Sequence, residues 1–463
     1  MCHARGRRPV RRLKTPLLYT LVTGGAVAVF LAIRACGEQL PVAPGGGPAP
    51  GPASLRASPD TLFHVLLALA AVIAVARVTS LVLRRFGQPP VIGETVAGIL
   101  LGPSLLGRLA PEVSRFVFPT DTVSLLGVVS QIGIILYMFL VGLRVDLGHL
   151  RGRTTVSVAV SHASIVAPFT LGAALALWLY PRFSSSDVAF TPFALFLGVA
   201  MSITAFPVLA RILAERDMTA TPIGSLALTC AAVGDVTGWC LLAFLVATVR
   251  SAPGDVLATI GLTAGFIAVM VFAARPVARL LTMSRDERGA LSQGAFLIVC
   301  IGLLVSAVVT ERIGIHALFG AFLWGVLIPS DSALARDLAV RLEDAVVVLL
   351  LPSFFAFTGM RTEIGGIGGE QLIACAVIIG VASLGKFGGS ALAGWATGLD
   401  RRSAMTLGIL MNTRGLMELI VLNVGLELGV VSPLLFTLLV IMAVVTTMAT
   451  TPVLDRLRRG AAS

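Results

Sequence analysis

Apolar stretches of bilayer-spanning length follow one another along almost the whole chain, near 17–33, 61–83, 90–106, 122–143, 156–178, 190–213, 221–249, 255–281, 289–310, 314–329, 342–361, 370–394, 402–424 and 433–455. A helix rises about 1.5 Å per residue, so roughly 20 apolar residues cross a hydrocarbon core about 30 Å thick. Most of the stretches meet that length; 90–106 and 314–329 are among the short ones. Inside lipid every backbone polar group must be satisfied within the protein, which leaves helices as the spanning elements. The fold class is therefore an all-α polytopic membrane protein with about 13 helices in the main body plus one N-terminal helix. Composition agrees, since 56% of residues are hydrophobic and 13% charged, proportions that a soluble domain of this length does not show.

Loop charges test that helix count. Cytoplasmic loops carry the Lys/Arg excess, so a missed or invented helix would scramble the pattern. With the N-terminus inside, the cytoplasmic stretches hold Arg84 and Arg85, Arg144, Arg151 and Arg153, Arg211 and Arg216, Arg275 to Arg288, Arg336 and Arg341, Arg401 and Arg402, and both basic tails. These stretches take about three times as many basic residues as the opposite side. The net charge of +11 thus reflects topology and anionic lipid, and nucleic acid is not an expected partner.

The chain divides into a basic cytoplasmic tail (1–16), an N-terminal transmembrane helix or signal anchor (17–33), an external linker rich in Pro, Gly and Ala (34–60), the transmembrane domain (61–455) and a short basic tail (456–463). A cleaved signal peptide is the alternative for the first apolar run, and either outcome leaves residue 61 starting outside. The six cysteines show no Cys-x-x-Cys spacing and the five histidines are scattered, so no disulfide framework, zinc site or cofactor is implied.

Two charges lie near the middle of apolar segments: Asp235 in 221–249 and Lys386 in 370–394. A charge at the bilayer centre costs roughly 3 kcal/mol or more, and such residues mark ion or proton pathways. Apart from Lys14, Lys386 is the only lysine in the chain. Two further segments interrupt their own helices. In 190–213 the run Thr204-Ala205-Phe206-Pro207 sets a proline inside an apolar span, where it removes a backbone bond. In 402–424 the run Asn412-Thr413-Arg414-Gly415 with Glu418 gathers polar groups at membrane depth. Irregular backbone survives there only where protein or water covers it. An ordinary proline kink, and an Arg414/Glu418 pair stapling one helix to a neighbour, are the structural alternatives.

Each interrupted segment is the middle of a triplet: 156–178, 190–213, 221–249 and 370–394, 402–424, 433–455. The two triplets start on opposite sides of the membrane, as inverted repeats do. Two broken helices crossing near the midplane would set opposed half-helix ends beside Asp235 and Lys386.

The runs Gln88-Pro89-Pro90-Val91-Ile92-Gly93-Glu94, Gly98-Ile99-Leu100-Leu101-Gly102-Pro103, Thr204 to Arg211 and Met411 to Gly415 resemble the monovalent cation:proton antiporter-2 family, in the manner of bacterial relatives of plant cation/H+ exchangers. The resemblance runs over about residues 61 to 455. It implies the sodium/proton antiporter fold: inverted repeats with two crossed, interrupted helices, a moving core and a dimerisation domain. It also implies that Asp235 is the ion-binding aspartate, Lys386 the membrane-buried lysine, and Thr204 to Pro207 and Asn412 to Gly415 the unwound crossovers. Gly234 departs from the pattern, because many members carry an acid or an Asn at that place.

The expected activity is exchange of K+ or Na+ for protons across the bacterial inner membrane by alternating access, with monovalent cations, protons, lipid and a second copy of the chain as partners. The chain is expected not to be an enzyme. A proton and a cation exclude each other at Asp235, and Lys386 is expected to neutralise the empty carboxylate. Arg414 and Glu418 are expected to shape the broken helix, and Glu94 to cap a helix start. His162 and His316 are expected to be satisfied core residues. A gated channel or regulatory pseudotransporter of the same fold is the rival reading, and an intramembrane aspartyl protease is excluded by the lack of a second deep aspartate.

Overall fold

The computed structural model describes residues 59–144, 155–184, 188–214, 216–219, 221–250, 256–283 and 291–459. The expected basic tail 1–16, the helix 17–33, the linker 34–60 up to residue 58, and residues 460–463 of the C-terminal tail lie outside the described residues. In chain order the helices are α1 (Pro59–Arg84), α2 (Pro90–Leu101), the short α3 (Leu106–Leu109) and α4 (Pro111–Val117), α5 (Thr120–Leu143) and α6 (Thr155–Phe183). They continue with α7 (Phe190–Ser202), α8 (Phe206–Ala214), α9 (Pro222–Arg250), α10 (Val256–Val269), α11 (Arg275–Leu281), α12 (Gln293–Ile313) and α13 (Ala317–Leu327). The last are α14 (Ala333–Asp344), α15 (Leu351–Met360), α16 (Gly369–Ser383), α17 (Gly389–Ala396), α18 (Arg401–Met411), α19 (Leu416–Glu427) and α20 (Pro433–Arg459). Among the described residues, nine helices are long and apolar enough to cross a membrane, and α7 and α13 are shorter apolar helices.

Both expected interruptions are breaks, with one correction: the first covers Ile203 to Ala205, and Phe206 and Pro207, expected in the unwound crossover, already belong to the following helix. The chain leaves helical geometry after Ser202 and resumes at Phe206, and it leaves again after Met411 and resumes at Leu416. Pro207 stands second in α8, where a missing N–H removes no helical bond. Three continuous spans instead absorb irregularity as a π-helical turn, at Met270–Ala274, Ala345–Leu350 and Leu384–Gly388. Pro276 and Pro352 follow the first two and strip the donor from a carbonyl inside each turn. The third holds Lys386. The segment expected at 342–361 begins earlier than its apolar run indicates: α14 starts at Ala333 because the Ser332 hydroxyl caps it, accepting from Ala335 N–H at 3.1 Å.

Lipid tails are as apolar as leucine, so helices in a membrane associate through close packing of small residues. The scaffold shows this. α2 packs on α15 and α5 on α13. A Cβ on Gly98 would lie 2.6 Å from the Ala356 Cα, and one on Gly359 would lie 2.8 Å from the Gly98 Cα. Gly142 and Gly325 bring α5 and α13 together in the same way, each within 3.0 Å of the other's Cα. Under the inverted-repeat relation α2 corresponds to α13 and α5 to the helix ending in α15, so the two Gly-mediated crossings are equivalents. Beside this scaffold, α6 packs on α7, α17 and α9, and α18 on α17, α9 and α20, forming the bundle that encloses the two breaks.

Candidate functional site

The two breaks cross and hydrogen-bond to each other. Ala205 N–H donates to the Thr413 carbonyl at 3.1 Å, and the Thr204 hydroxyl to the Met411 carbonyl at 3.2 Å. Gly415 has φ +149°, a conformation that residues with a Cβ rarely adopt, and a Cβ there would meet Val208 Cγ2 at 3.1 Å. Glycine thus lets the second chain turn close against the first. The crossing leaves four half-helix ends inside the protein, two with free N–H groups and two with free carbonyls.

Each end facing the crossing has a charged or polar partner of the complementary kind. α7 ends in three carbonyls. Arg414 Nη1 donates to Ala200 O at 3.2 Å and Nη2 to Met201 O at 3.0 Å, while Lys386 Nζ donates to Ser202 O. Lys386 also donates to Ser164 O of α6 at 2.8 Å. Cations at a helix C-terminus complement its dipole, and both side chains are fully buried. At the opposite half, the Asp235 carboxylate accepts the backbone N–H of Phe206, the first residue of α8. Asp235 is 4% exposed and its Oδ1 has no hydrogen-bond partner in the protein. A helix N-terminus holds an anion well, so Asp235 sits where α8 offers positive potential and one carboxylate oxygen is left open.

The second break mirrors the first. Thr447 on α20 accepts from Arg414 N–H at 3.0 Å and donates to Arg414 O at 2.8 Å, as Asp235 on α9 meets Phe206 N–H. Nothing in the sequence reading singled out Thr447; its place in the second triplet, opposite that of Asp235 in the first, is the signal that was available. Arg414 also binds Glu418 Oε1 at 3.1 Å and Ala382 O at 3.4 Å. The pair is completely buried, and the Arg414 Nε and Glu418 Oε2 have no partner in the protein. Asn412 Oδ1 likewise has none.

Lys386 hydrogen-bonds the Ser164 and Ser202 carbonyls and acts on Asp235 through space, so among the described residues the two charges form no direct ion pair. Two expectations are corrected by this geometry. Glu94 is not a cap: α2 starts at Pro90 without a side-chain cap, and Glu94 Oε2 is buried without a partner. The charges that reach Glu94 are Arg211 of α8 and Arg77 of α1, so it lies between scaffold and broken helix. His162 is on an exposed face of α6, and His316 is the φ +79° N-cap of α13, so neither is a core residue. Gly234 precedes Asp235 in open space, with no atom within 4 Å of a Cβ built there. Among the described residues no cluster of three His, Cys, Asp or Glu could hold a metal.

Comparison with known proteins gives the family and the fold. A sequence profile described as sodium/hydrogen exchanger, transmembrane, matches residues 68–456. The chain is 43% identical over 403 residues to the Na(+)/H(+) antiporter NhaS4 of Synechocystis sp., across 86% of this chain and 98% of that protein. It is 38% identical over 401 residues to Cation/H(+) antiporter 20 of Arabidopsis thaliana and 30% identical over 405 residues to K(+)/H(+) antiporter 1 of Saccharomyces cerevisiae. Those alignments cover 84% and 85% of this chain but 48% and 46% of the plant and yeast proteins, so the chain spans about half their length. Among solved structures, the sodium proton antiporter MjNhaP1 from Methanocaldococcus jannaschii matches with a TM-score of 0.61 at 14% identity, over 85% of this chain and 96% of that one, a likeness of fold alone. The profile and the relative matched over nearly its whole length show that the chain belongs to the sodium/hydrogen exchanger family and is a cation:proton exchange transporter, not an enzyme.

Proposed function

We propose that the chain exchanges K+ or Na+ for protons across a bacterial cytoplasmic membrane, with Asp235 as the site that cation and proton occupy in turn. The observation that carries this is the Asp235 carboxylate itself, buried at the N-terminus of α8 with Oδ1 unpartnered. An ionised carboxylate held there has one oxygen ready for an alkali ion, and unwound backbone at Ile203, Thr204 and Ala205 supplies polar groups to replace its water. Proton binding removes the charge that attracts the cation, so the two guests exclude each other.

Lys386 sits at the carbonyl end of the same broken helix and balances the Asp235 charge through the helix rather than by contact. If it keeps its proton, one cation exchanges for one proton and transport is electroneutral. If it releases it when the cation arrives, more than one proton moves per cation. Arg414, held by Glu418 and three carbonyls, is the fixed cap that keeps α7 intact while Lys386 works. The transport body 61–455 divides into the bundle around the breaks, which moves, and the Gly-packed scaffold of α1, α2, α5, α13 and α15, which stays and supplies the face for a homodimer.

The test is reconstitution in proteoliposomes under an imposed pH gradient, with Na+, K+, Rb+ and Li+ added in turn. Saturable, cation-dependent collapse of the gradient is expected for K+ or Na+. Unitary currents in a planar bilayer, or no response to any of the four ions, would contradict the proposal.

A further inference from the structure

Lys386 is held by an acceptor that an ordinary helix does not offer. α6 runs from Thr155 to Phe183 with Pro168 inside it. Proline has no N–H, so the carbonyl four residues earlier, Ser164 O, lacks its helical donor. Lys386 Nζ lies 2.8 Å from that oxygen. The two features are also in register through the backbone: a Cβ on Gly385 would lie 2.8 Å from the Pro168 Cα. The π-helical turn that carries Lys386 therefore packs on the very residue that frees its acceptor.

The chain uses the same device a second time. Pro452 lies inside α20 and removes the donor of Met448 O, which takes a hydrogen bond from Gln88 Nε2 at 3.2 Å. In both cases a proline within a span leaves a carbonyl that a side chain from another segment fills.

We propose that Pro168 is a positioning residue for Lys386: by freeing the Ser164 carbonyl it holds the ammonium at the end of α7 and sets the pH at which the exchanger turns on. The proposal rests on the role given above to Lys386. The charged groups that face Lys386 are Arg414 and Glu418 from the second break and Asp235 from α9. His162 is on α6 too but on its exposed face.

In Pro168→Ala the restored N–H competes with Lys386 for Ser164 O, while the helix itself gains a better helix former. A hydrogen bond to a charged group corresponds to about one pH unit in a proton equilibrium. The experiment records gradient collapse in proteoliposomes against pH for wild type, Pro168→Ala, Pro181→Ala and Lys386→Gln. Pro181 is the control, since it lies in the same helix and frees the carbonyl of the exposed Leu177. The expected result is a profile displaced by about one pH unit in Pro168→Ala and unmoved in Pro181→Ala. If Pro168→Ala abolishes transport, cation-induced thermal stabilisation recorded against pH replaces flux as the readout, and the same displacement is expected. A Pro168→Ala profile that superimposes on wild type, while Lys386→Gln shifts or abolishes activity, overturns the Pro168 role and leaves that of Lys386 standing. A wild-type profile in Lys386→Gln overturns the role of Lys386 itself.

Discussion

Replacing Arg414 by methionine removes the cation but keeps a side chain of similar reach, and it isolates what that cation holds together. Arg414 and Glu418 are both 0% exposed and 3.1 Å apart. Leaving one member of a buried pair unpaired costs about 3–5 kcal/mol. Glu418 has an escape, because an ordinary carboxyl takes up a proton at pH 7 for about 3.7 kcal/mol, which limits its share to that amount. The carbonyls of Ala200 and Met201 lose a donor as well, at roughly 1 kcal/mol each. The single substitution is therefore expected to destabilise by about 4–6 kcal/mol. For a chain of this length that corresponds to a fall of about 5 °C in melting temperature, read by thermal unfolding of the detergent-solubilised protein. The double substitution Arg414→Met/Glu418→Met removes both charges and is expected to recover about 2–3 kcal/mol of the loss. Single and double variants that both melt with the wild type would refute the claim that Arg414 is a cap under load.

Other substitutions probe separate parts of the account. Gly234→Asp meets no atom within 4 Å of its Cβ, so the side chain fits without displacing a neighbour, and the second carboxylate beside Asp235 is expected to make exchange sensitive to membrane potential, measured as gradient collapse with and without valinomycin. Gly98→Ala drives a methyl into the Ala356 backbone and is expected to cost about 1–3 kcal/mol, seen as a lower melting temperature. Asp400 caps α18, and its carboxyl is held below the usual range by the hydrogen bond from the Ser403 side chain and then by those from the Ser403 and Arg402 N–H groups. A depressed value means its contribution is present above the ordinary carboxylate pH and is lost as pH falls through the lowered one. Wild type is thus expected to outlast Asp400→Ala at pH 7, with the difference disappearing in strong acid, as melting curves at a series of pH values would show.

Much of the fold was legible because hydrocarbon imposes so few solutions. Length and apolarity located the spans, and Thr204 to Pro207 and Asn412 to Glu418 located the breaks, since polar and helix-breaking residues at that depth have no other use. Asp235 and Lys386 stood out for the same reason of cost. What they bind was not legible. An acid and an amine in neighbouring spans suggest each other as partners, yet the crossing offers each a half-helix end, and a backbone end makes no mark in the sequence beyond the break itself. Pro168 and Thr447 were passed over because a proline in a span and a threonine in a helix are common; only their alignment with Ser164 and Arg414 gives them meaning. Glu94 misled because an acid just after Gly93 looks like a helix start in sequence, whereas α2 had already begun at Pro90, which makes Glu94 its fifth residue.

Asp235→Asn is the most direct test of the central claim. The amide keeps the size of the carboxylate but neither ionises nor takes up a proton at neutral pH. In proteoliposomes under an imposed pH gradient, the variant is predicted to melt as the wild type does and to lose cation-dependent gradient collapse with both K+ and Na+ at every pH. Wild-type exchange in Asp235→Asn would contradict the account.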